Sequence, residues 1–194
     1  MRDMLLSSFT NEPLEAGLDE AGRGCLAGPV FAAAVILPPD FSPHHLNDSK
    51  QMTARRREQV RAEICREAVA WAVAEASPEE IAAINIAQAS YLAMHRAVEQ
   101  LRPQPTHLLV DGNRFRAHPT LPHTCIIGGD GLYRNIAAAS VLAKTFRDER
   151  MRELAALYPH YGWEQNAGYP TPRHRTAIRD HGPTEHHRLG FRLL

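Results

Sequence analysis

Four acidic residues stand where their carboxylates could share one task. Asp19 and Glu20 are adjacent and run into the segment 22–24 (Gly-Arg-Gly), Asp111 follows the apolar run HLLV, and Asp130 follows TCII after two glycines. Four carboxylates in one pocket cannot all stay ionised without cations. Because every ligand in this set is an oxygen, it favours Mg²⁺ or Mn²⁺ over zinc. Two such ions, roughly 4 Å apart, are typical of enzymes that cut phosphodiester bonds.

The elements that must position these acids follow from the apolar pattern. Runs bounded by Gly and Pro predict five strands, at 15–19, 30–37, 69–76, 107–110 and 124–127. Helical patterns cover 52–68, 77–101 and about 133–157, with two further short helices from about Thr171. Ser77 is the expected N-cap of the second helix, with Pro78 in its first turn. The order predicts an α/β domain with a five-stranded mixed sheet flanked by helices.

Each acid then lies just past the carboxyl end of a strand. Open α/β sheets usually carry their chemistry in the loops at that edge, so acids distant in sequence can converge there. Glu20 would point to the opposite face from Asp19 in a regular strand. We expect it to join the cluster only if the chain bends at Ala21 and Gly22.

A simpler interpretation of the later acids remains open. Asp111-Gly112-Asn113 and Asp130-Gly131 are also turn signals, since Asp-Gly pairs are common in turns. For either segment alone, a turn is the better interpretation. Acids at three strand ends, together with the adjacent Asp-Glu pair, favour a functional site.

Composition limits the class of protein. The 194 residues suit one domain, 1–194, and no apolar run reaches the length of a bilayer. The N-terminus lacks a secretory signal pattern, and three scattered cysteines (Cys25, Cys65 and Cys125) fit a reducing cytoplasm and predict small apolar side chains. The formal net charge is zero, but residues 1–30 carry two Lys/Arg against five Asp/Glu and residues 131–194 carry ten against six. This asymmetry fits an acidic metal site beside a basic phosphate-binding flank, although solvated helices produce similar counts.

The segment GLDEAGRGCLAGPV (17–30) resembles the first motif of the ribonuclease HII family. Further matches follow in family order across nearly the whole chain: LNDSK, LLVDGN, GGD, IAAASVLAK, RDERM, YPHYG, GYPTPRH and HGPTEHHR. The resemblance implies a ribonuclease H-like fold with a C-terminal helical substrate-binding segment at about 160–194. It implies a metal-dependent endonuclease that uses two Mg²⁺ or Mn²⁺ ions, held by Asp19, Glu20, Asp111 and Asp130. Its substrates would be RNA/DNA hybrids and DNA duplexes containing ribonucleotides, cut on the 5′ side of a ribonucleotide to leave a 3′-hydroxyl and a 5′-phosphate.

The resemblance also implies how the substrate is recognised. The backbone of Gly22, Arg23 and Gly24 would hydrogen-bond the ribose 2′-hydroxyl, the group that distinguishes RNA from DNA. Tyr169 would stack on the deoxyribose that follows the ribonucleotide. Phosphate contacts are implied for Lys50, Ser140 and Lys144. Without the resemblance, the sequence predicts that Tyr169 is an aromatic residue on the surface. It predicts that Ser140 and Lys144 lie along one edge of a solvated helix.

The chain departs from the family pattern near the expected substrate path. Gly129 stands where a lysine is common, Asn166-Ala167 replaces a frequent His-Lys pair, and Gly190 replaces a common serine. Two missing cations predict binding that is weaker or more sensitive to salt. The ending GFRLL resembles tails that bind a replication clamp, and the alternative is that it packs against the domain.

Two other functions stay open. A non-catalytic module that binds hybrids would keep the basic flank but should have lost at least one acid. The other is another metal-dependent nuclease of the same fold, such as an ordinary ribonuclease HI or a DNA resolvase. Cleavage at a lone ribonucleotide would separate these enzymes, since an enzyme that needs a run of ribonucleotides should leave that substrate intact. We expect a cytoplasmic monomer that has no membrane segment and removes ribonucleotides misincorporated into DNA.

Overall fold

A computed structural model describes residues 5–41 and 52–194 as five strands and five α-helices. The strands are β1 (Glu15–Ala21), β2 (Val30–Ile36), β3 (Ala70–Ala76), β4 (His107–Asp111) and β5 (His123–Ile126). The helices are α1 (Ala54–Glu67), α2 (Pro78–Gln100), α3 (Arg134–Leu157), α4 (Trp163–Asn166) and α5 (Pro172–His181). The sheet order is β3-β2-β1-β4-β5, with antiparallel pairs β1–β2 and β2–β3 and parallel pairs β1–β4 and β4–β5. The predicted mixed five-stranded α/β fold is confirmed.

Two sequence-based assignments need correction. The first strand continues two residues past Asp19 to Ala21. Only one helix, α5, follows Thr171 in the described chain, and the other short helix, α4, precedes it. The four residues of α4 lie between Gly162 and Ala167, both of which have positive φ. The backbone changes direction on each side of α4, so this helix is too short to produce a helical pattern in the sequence.

Helices cover both faces of the sheet. Leu18 of β1 and Val110 of β4 pack on one face with α2 residues, whereas Ala33 and Val35 of β2 pack on the other with α1 and α3. Small residues let α3 approach closely: a Cβ added to Gly17 would lie 2.1 Å from the backbone carbon of Asn135. This close packing fixes the start of α3 against β1.

Helix α2 begins with a capping box and is broken once. The Ser77 side chain accepts from the backbone N–H of Glu80, whose own carboxylate accepts from the backbone N–H of Ser77. Asn85 has φ 66°, outside the helical range, and its side chain accepts from the backbone of Ala87 and Gln88. The second half of α2 therefore has its own cap.

The C-terminal segment packs on the far end of α3. Trp163 and Ile178 are buried there with Met151 and Leu154 of α3 in a third apolar cluster, against which Leu193 also packs. No helix in the described ranges is long and apolar enough to cross a bilayer.

Candidate active site

The adjacent acids Asp19 and Glu20 lie on opposite faces of β1. Asp19 pairs in register with Ala33, which packs toward α3, and Glu20 pairs with Ala32, which packs toward α2. The chain does turn at Gly22, where φ is 95°, but Glu20 precedes the turn. The expected bend therefore comes after Glu20. Glu20 is close enough to Asp19 to raise its pKa, and it lines the same groove as Asp111.

The other two acids are positioned by short turns. Asp111 ends β4, and its Oδ1 accepts a hydrogen bond of 2.7 Å from the backbone N–H of Gly129. Asp130 is buried in the 3₁₀ turn Gly129–Gly131, which leads into α3. A Cβ at Gly129 would lie 2.5 Å from Cδ1 of Ile136, so the departure from the family lysine is accompanied by tight packing.

Asp19 is the electrostatic centre of the carboxylates. Burial raises the pKa of Asp19 well above its usual value, and the nearby carboxylates of Glu20 and Asp111 raise it further. A hydrogen bond from the hydroxyl of Ser140 opposes this shift by stabilising the charged form. Ser140 therefore lies beneath Asp19, and its predicted phosphate contact stays a prediction.

The donor set fits a hard divalent cation. The carboxylates lie close together at one end of the sheet, where burial disfavours their negative charges and the charges repel one another. A bound cation would offset this repulsion. Among the described residues, no three His, Cys, Asp or Glu side chains form a ready-made group around one ion position. The assignment of all four acids as ligands accordingly stays a prediction.

The glycines of the Gly-Arg-Gly loop have different surroundings. A Cβ on Gly22 would lie 2.0 Å from Nε of Arg147, and its φ of 95° also disfavours other residues. Gly24 is exposed, its φ is not in the left-handed region, and a Cβ there would meet no atom within 4 Å. Between them, Arg23 points outward and pairs with Glu20 at 3.1 Å. Folding explains the glycine at 22 and does not explain the one at 24.

Two buried arginines hold the loop from below. Arg147 donates to the backbone oxygens of Pro29, Ala27 and Ala167. Arg188 donates to the carbonyl oxygen of Arg23 at 3.0 Å and to that of Gly28 at 2.9 Å. Burial lowers the pKa of Arg188 to about 10, and the neighbouring Arg147 contributes to this shift. The sequence analysis did not single out these two residues, although RDERM and HGPTEHHR contain them.

Tyr169 lies next to the loop, partly exposed. Burial of its inner part raises the pKa of Tyr169, and a hydrogen bond with the Cys25 thiol raises it further. Asn166 shapes the turn before it, since its side-chain oxygen accepts from the backbone N–H of Gly168 at 2.8 Å. Cys25 is a small buried side chain, as expected, and its thiol also links the Gly-Arg-Gly loop to Tyr169.

Of the two lysines predicted to contact phosphates, Lys144 and Lys50, the structure describes only Lys144. Nζ of Lys144 pairs with Asp148 at 2.7 Å and lies 5.7 Å from the centre of the Tyr169 ring. It therefore lies on the same side of the loop as Tyr169. Lys50 lies outside the described residues.

A buried histidine pair supports the Tyr169 turn. Nδ1 of His174 lies 2.9 Å from the carbonyl oxygen of Tyr169, and its Nε2 accepts from the indole N–H of Trp163. Nε2 of His187 lies 3.3 Å from the same Nε2 of His174, while its Nδ1 accepts from the backbone N–H of Thr184. Burial lowers the pKa of both histidines, that of His187 to about 4.

This sheet, with carboxylates at the ends of neighbouring parallel strands and a glycine loop beside them, defines a nuclease-type site on a ribonuclease H-like fold. Comparison with known proteins is more specific. The family model described as Ribonuclease HII matches residues 16–193. A ribonuclease HII of Parabacteroides distasonis is 61% identical over 191 residues, covering 98% of this chain and 96% of the relative.

Solved structures agree with the sequence comparison. Ribonuclease H2 of Pyrococcus horikoshii superposes with a TM-score of 0.79 at 23% identity, covering 92% of this chain and 94% of that one. The chain from a complex of PCNA and RNase HII of Archaeoglobus fulgidus gives a TM-score of 0.77 at 25% identity, covering 93% and 96%. The chain belongs to the ribonuclease HII family. It is therefore a hydrolase, a metal-dependent endonuclease that acts on RNA/DNA hybrids, and not a non-catalytic binding module.

Proposed function

We propose that this endonuclease cuts DNA duplexes at single embedded ribonucleotides, on the 5′ side of the ribose, and so removes misincorporated ribonucleotides. The observation that carries the proposal is Gly24. It is exposed, its backbone could accommodate any residue, and the protein leaves the space around its Cα empty. Gly24 lies between Arg23, which pairs with Glu20, and Cys25, which contacts Tyr169. A glycine that folding does not require at this place is suited to close approach by a sugar.

The loop geometry supports readout of the 2′-hydroxyl. Arg188 donates a hydrogen bond to the carbonyl oxygen of Arg23, and Arg147 donates one to a carbonyl oxygen of the segment that follows the loop. The loop is therefore held in place before any substrate binds. Such preorganisation lowers the entropy cost of recognition. We assign the backbone of Gly22, Arg23 and Gly24 to the 2′-hydroxyl, and the exposed face of Tyr169 to the deoxyribose on its 3′ side.

We assign Asp19, Glu20, Asp111 and Asp130 as the residues that would hold two divalent cations, Mg²⁺ or Mn²⁺. When bound, these ions supply the positive charge that assists attack by water and stabilises the leaving 3′-oxygen. The protein itself orients these ligands: the backbone N–H of Gly129 donates a hydrogen bond to Asp111, and the hydroxyl of Ser140 donates one to Asp19. Lys144 beside Tyr169, and Lys50, are assigned to flanking phosphates.

The preference for a junction separates this proposal from a nuclease that needs a run of ribonucleotides. The test compares kcat/KM on a duplex with one ribonucleotide and on a continuous RNA/DNA hybrid, for Tyr169→Ala and Tyr169→Phe. We expect Tyr169→Ala to lose about 10-fold or more on the single ribonucleotide, because a lost stacking contact is worth about 1–3 kcal/mol, and to lose less on the hybrid. Tyr169→Phe keeps the ring and should retain the preference. Equal losses on both substrates would contradict the junction role.

We propose that the protein is a monomer located in the cytoplasm. Support comes from the three free cysteines, which fit a reducing compartment. A replication clamp is a second proposed partner, since one structural relative is from a complex with PCNA. In this chain Phe191 and Leu193 pack against the apolar clusters, so clamp binding through the GFRLL ending would require these residues to detach.

A further inference from the structure

A groove of about 810 Å³ opens from the carboxylates toward the α2 side of the sheet. Glu20 and Asp111 form its inner end. Its outer part is lined by α2 and by the connection between β4 and β5, including Gln88, Tyr91, Asn113, Arg114, Phe115 and Arg116. None of these outer residues has a role in the site described above.

The connection is anchored by one aromatic ring. The ring of Phe115 packs edge-to-face at 5.1 Å from His95, 5.2 Å from His123 and 5.9 Å from Tyr91. These three rings surround Phe115, so it acts as a fixed support and not as a platform for a base. The two arginines on either side of it are thereby held at the groove.

Charge in the outer groove is positive. Arg114 and Arg116 are exposed, and in the described part of the chain neither side chain forms an ion pair or hydrogen bond. Arg23 also lines the groove but pairs with Glu20. Of the described residues that line it, the only acids are Glu20 and Asp111 at the inner end. In a chain of zero net charge, this local excess of cations suits a polyanion.

We propose that Arg114 and Arg116 bind backbone phosphates of the substrate on the 5′ side of the cleaved bond. This inference rests on the proposed function, in which Tyr169 marks the 3′ side. Tyr169 contacts Cys25 and lies near Lys144 of α3, whereas the groove opens beyond the carboxylates on the α2 side. The strand that passes Tyr169 and the carboxylates must therefore continue into the groove. Guanidinium groups with free donors are suited to phosphate oxygens.

The test measures binding, with chelator present to prevent cleavage. Fluorescence anisotropy gives the affinity of the full-length protein for a long duplex with one ribonucleotide, at several NaCl concentrations. We expect Arg114→Gln and Arg116→Gln each to weaken binding about 3- to 10-fold at low salt and to reduce the slope of log K against log[NaCl] by about 1. Arg66→Gln is the matched control, since Arg66 is exposed on α1, on the opposite face of the sheet.

Trimmed duplexes locate the contact. When the duplex lacks its 5′ flank, the two variants should bind as the wild type does, and when it lacks its 3′ flank they should still differ. Wild-type slopes in both variants would overturn the phosphate contact. A defect that persists without the 5′ flank and disappears without the 3′ flank would overturn the placement. Cleavage assayed in parallel keeps the two proposals apart: an intact single-ribonucleotide duplex with an arginine-dependent slope would contradict the proposed function alone.

Discussion

A side-chain carbon added to Gly22 would lie 2.0 Å from Nε of Arg147. The same guanidinium donates to backbone oxygens of the segment after the loop and to Ala167, just before Tyr169. One buried side chain thus joins the two segments that we assign to the sugar and to the junction.

Gly22→Ala should consequently destabilise the protein. The methyl group would displace Arg147 and strain a residue whose φ is 95°, so we expect a loss of about 2 kcal/mol or more in the free energy of unfolding. Urea denaturation measures this directly. A Gly22→Ala variant as stable as the wild type would show that Arg147 moves aside at no cost.

Gly24→Ala is the matched substitution with the opposite expectation. It should change the free energy of unfolding by less than about 0.5 kcal/mol, because its Cβ meets no protein atom within 4 Å. Cleavage at a single ribonucleotide should nonetheless fall by about 10-fold or more, since the methyl group would hold the ribose away from the backbone donors. Initial rates beside melting curves make the comparison. Unchanged cleavage would remove Gly24 from the recognition surface.

The residues show where sequence reasoning succeeds and where it stops. Periodicity and strand ends place Asp19, Asp111 and Asp130 at one edge of the sheet, because strand direction follows from short connections. Periodicity did not reveal the roles of Arg147 and Arg188, because their partners are backbone oxygens distant in sequence. Such contacts leave no spacing pattern, and only the three-dimensional packing of α3 and the C-terminus shows them.

The histidine pair predicts a dependence of stability on pH. The pKa of His187 is about 4 in the folded protein because the ring is buried, whereas an unfolded histidine titrates near 6.5. Between these values the unfolded chain binds more protons, so this contribution to stability is lost as the pH falls. From pH 7 to pH 5 we expect His187 to cost about 2 kcal/mol.

A variant comparison isolates this effect from other titrating groups. Asp19 acts in the opposite direction, because its pKa is raised in the folded state. His187→Asn keeps an acceptor for the Thr184 N–H and should lose about 2 kcal/mol less than the wild type between pH 7 and pH 5. His160→Gln, at a surface ring, should behave as the wild type does. Equal losses in wild type and His187→Asn would contradict a neutral buried His187.

Divalent cations should stabilise the folded protein. Asp19, Glu20 and Asp111 repel one another at one end of the sheet, and a bound cation offsets that repulsion. Mg²⁺ at about 100 times its Kd should add about 2.7 kcal/mol, seen as a rise in Tm at constant ionic strength. Asp111→Asn should show a smaller rise, whereas the exposed Glu164→Gln should match the wild type. No rise in the wild type would contradict the metal assignment.

The central claim is that these carboxylates cut beside a single ribose. We would map the products of a labelled DNA duplex with one ribonucleotide, in Mg²⁺ or Mn²⁺, for the wild type and Asp111→Asn, with an all-DNA duplex as control. The account predicts one cut on the 5′ side of the ribose that leaves a 3′-hydroxyl, a loss of that cut in Asp111→Asn, and no cut in all-DNA. An intact single-ribonucleotide duplex alongside a cleaved continuous hybrid, or full cleavage by Asp111→Asn, would contradict it.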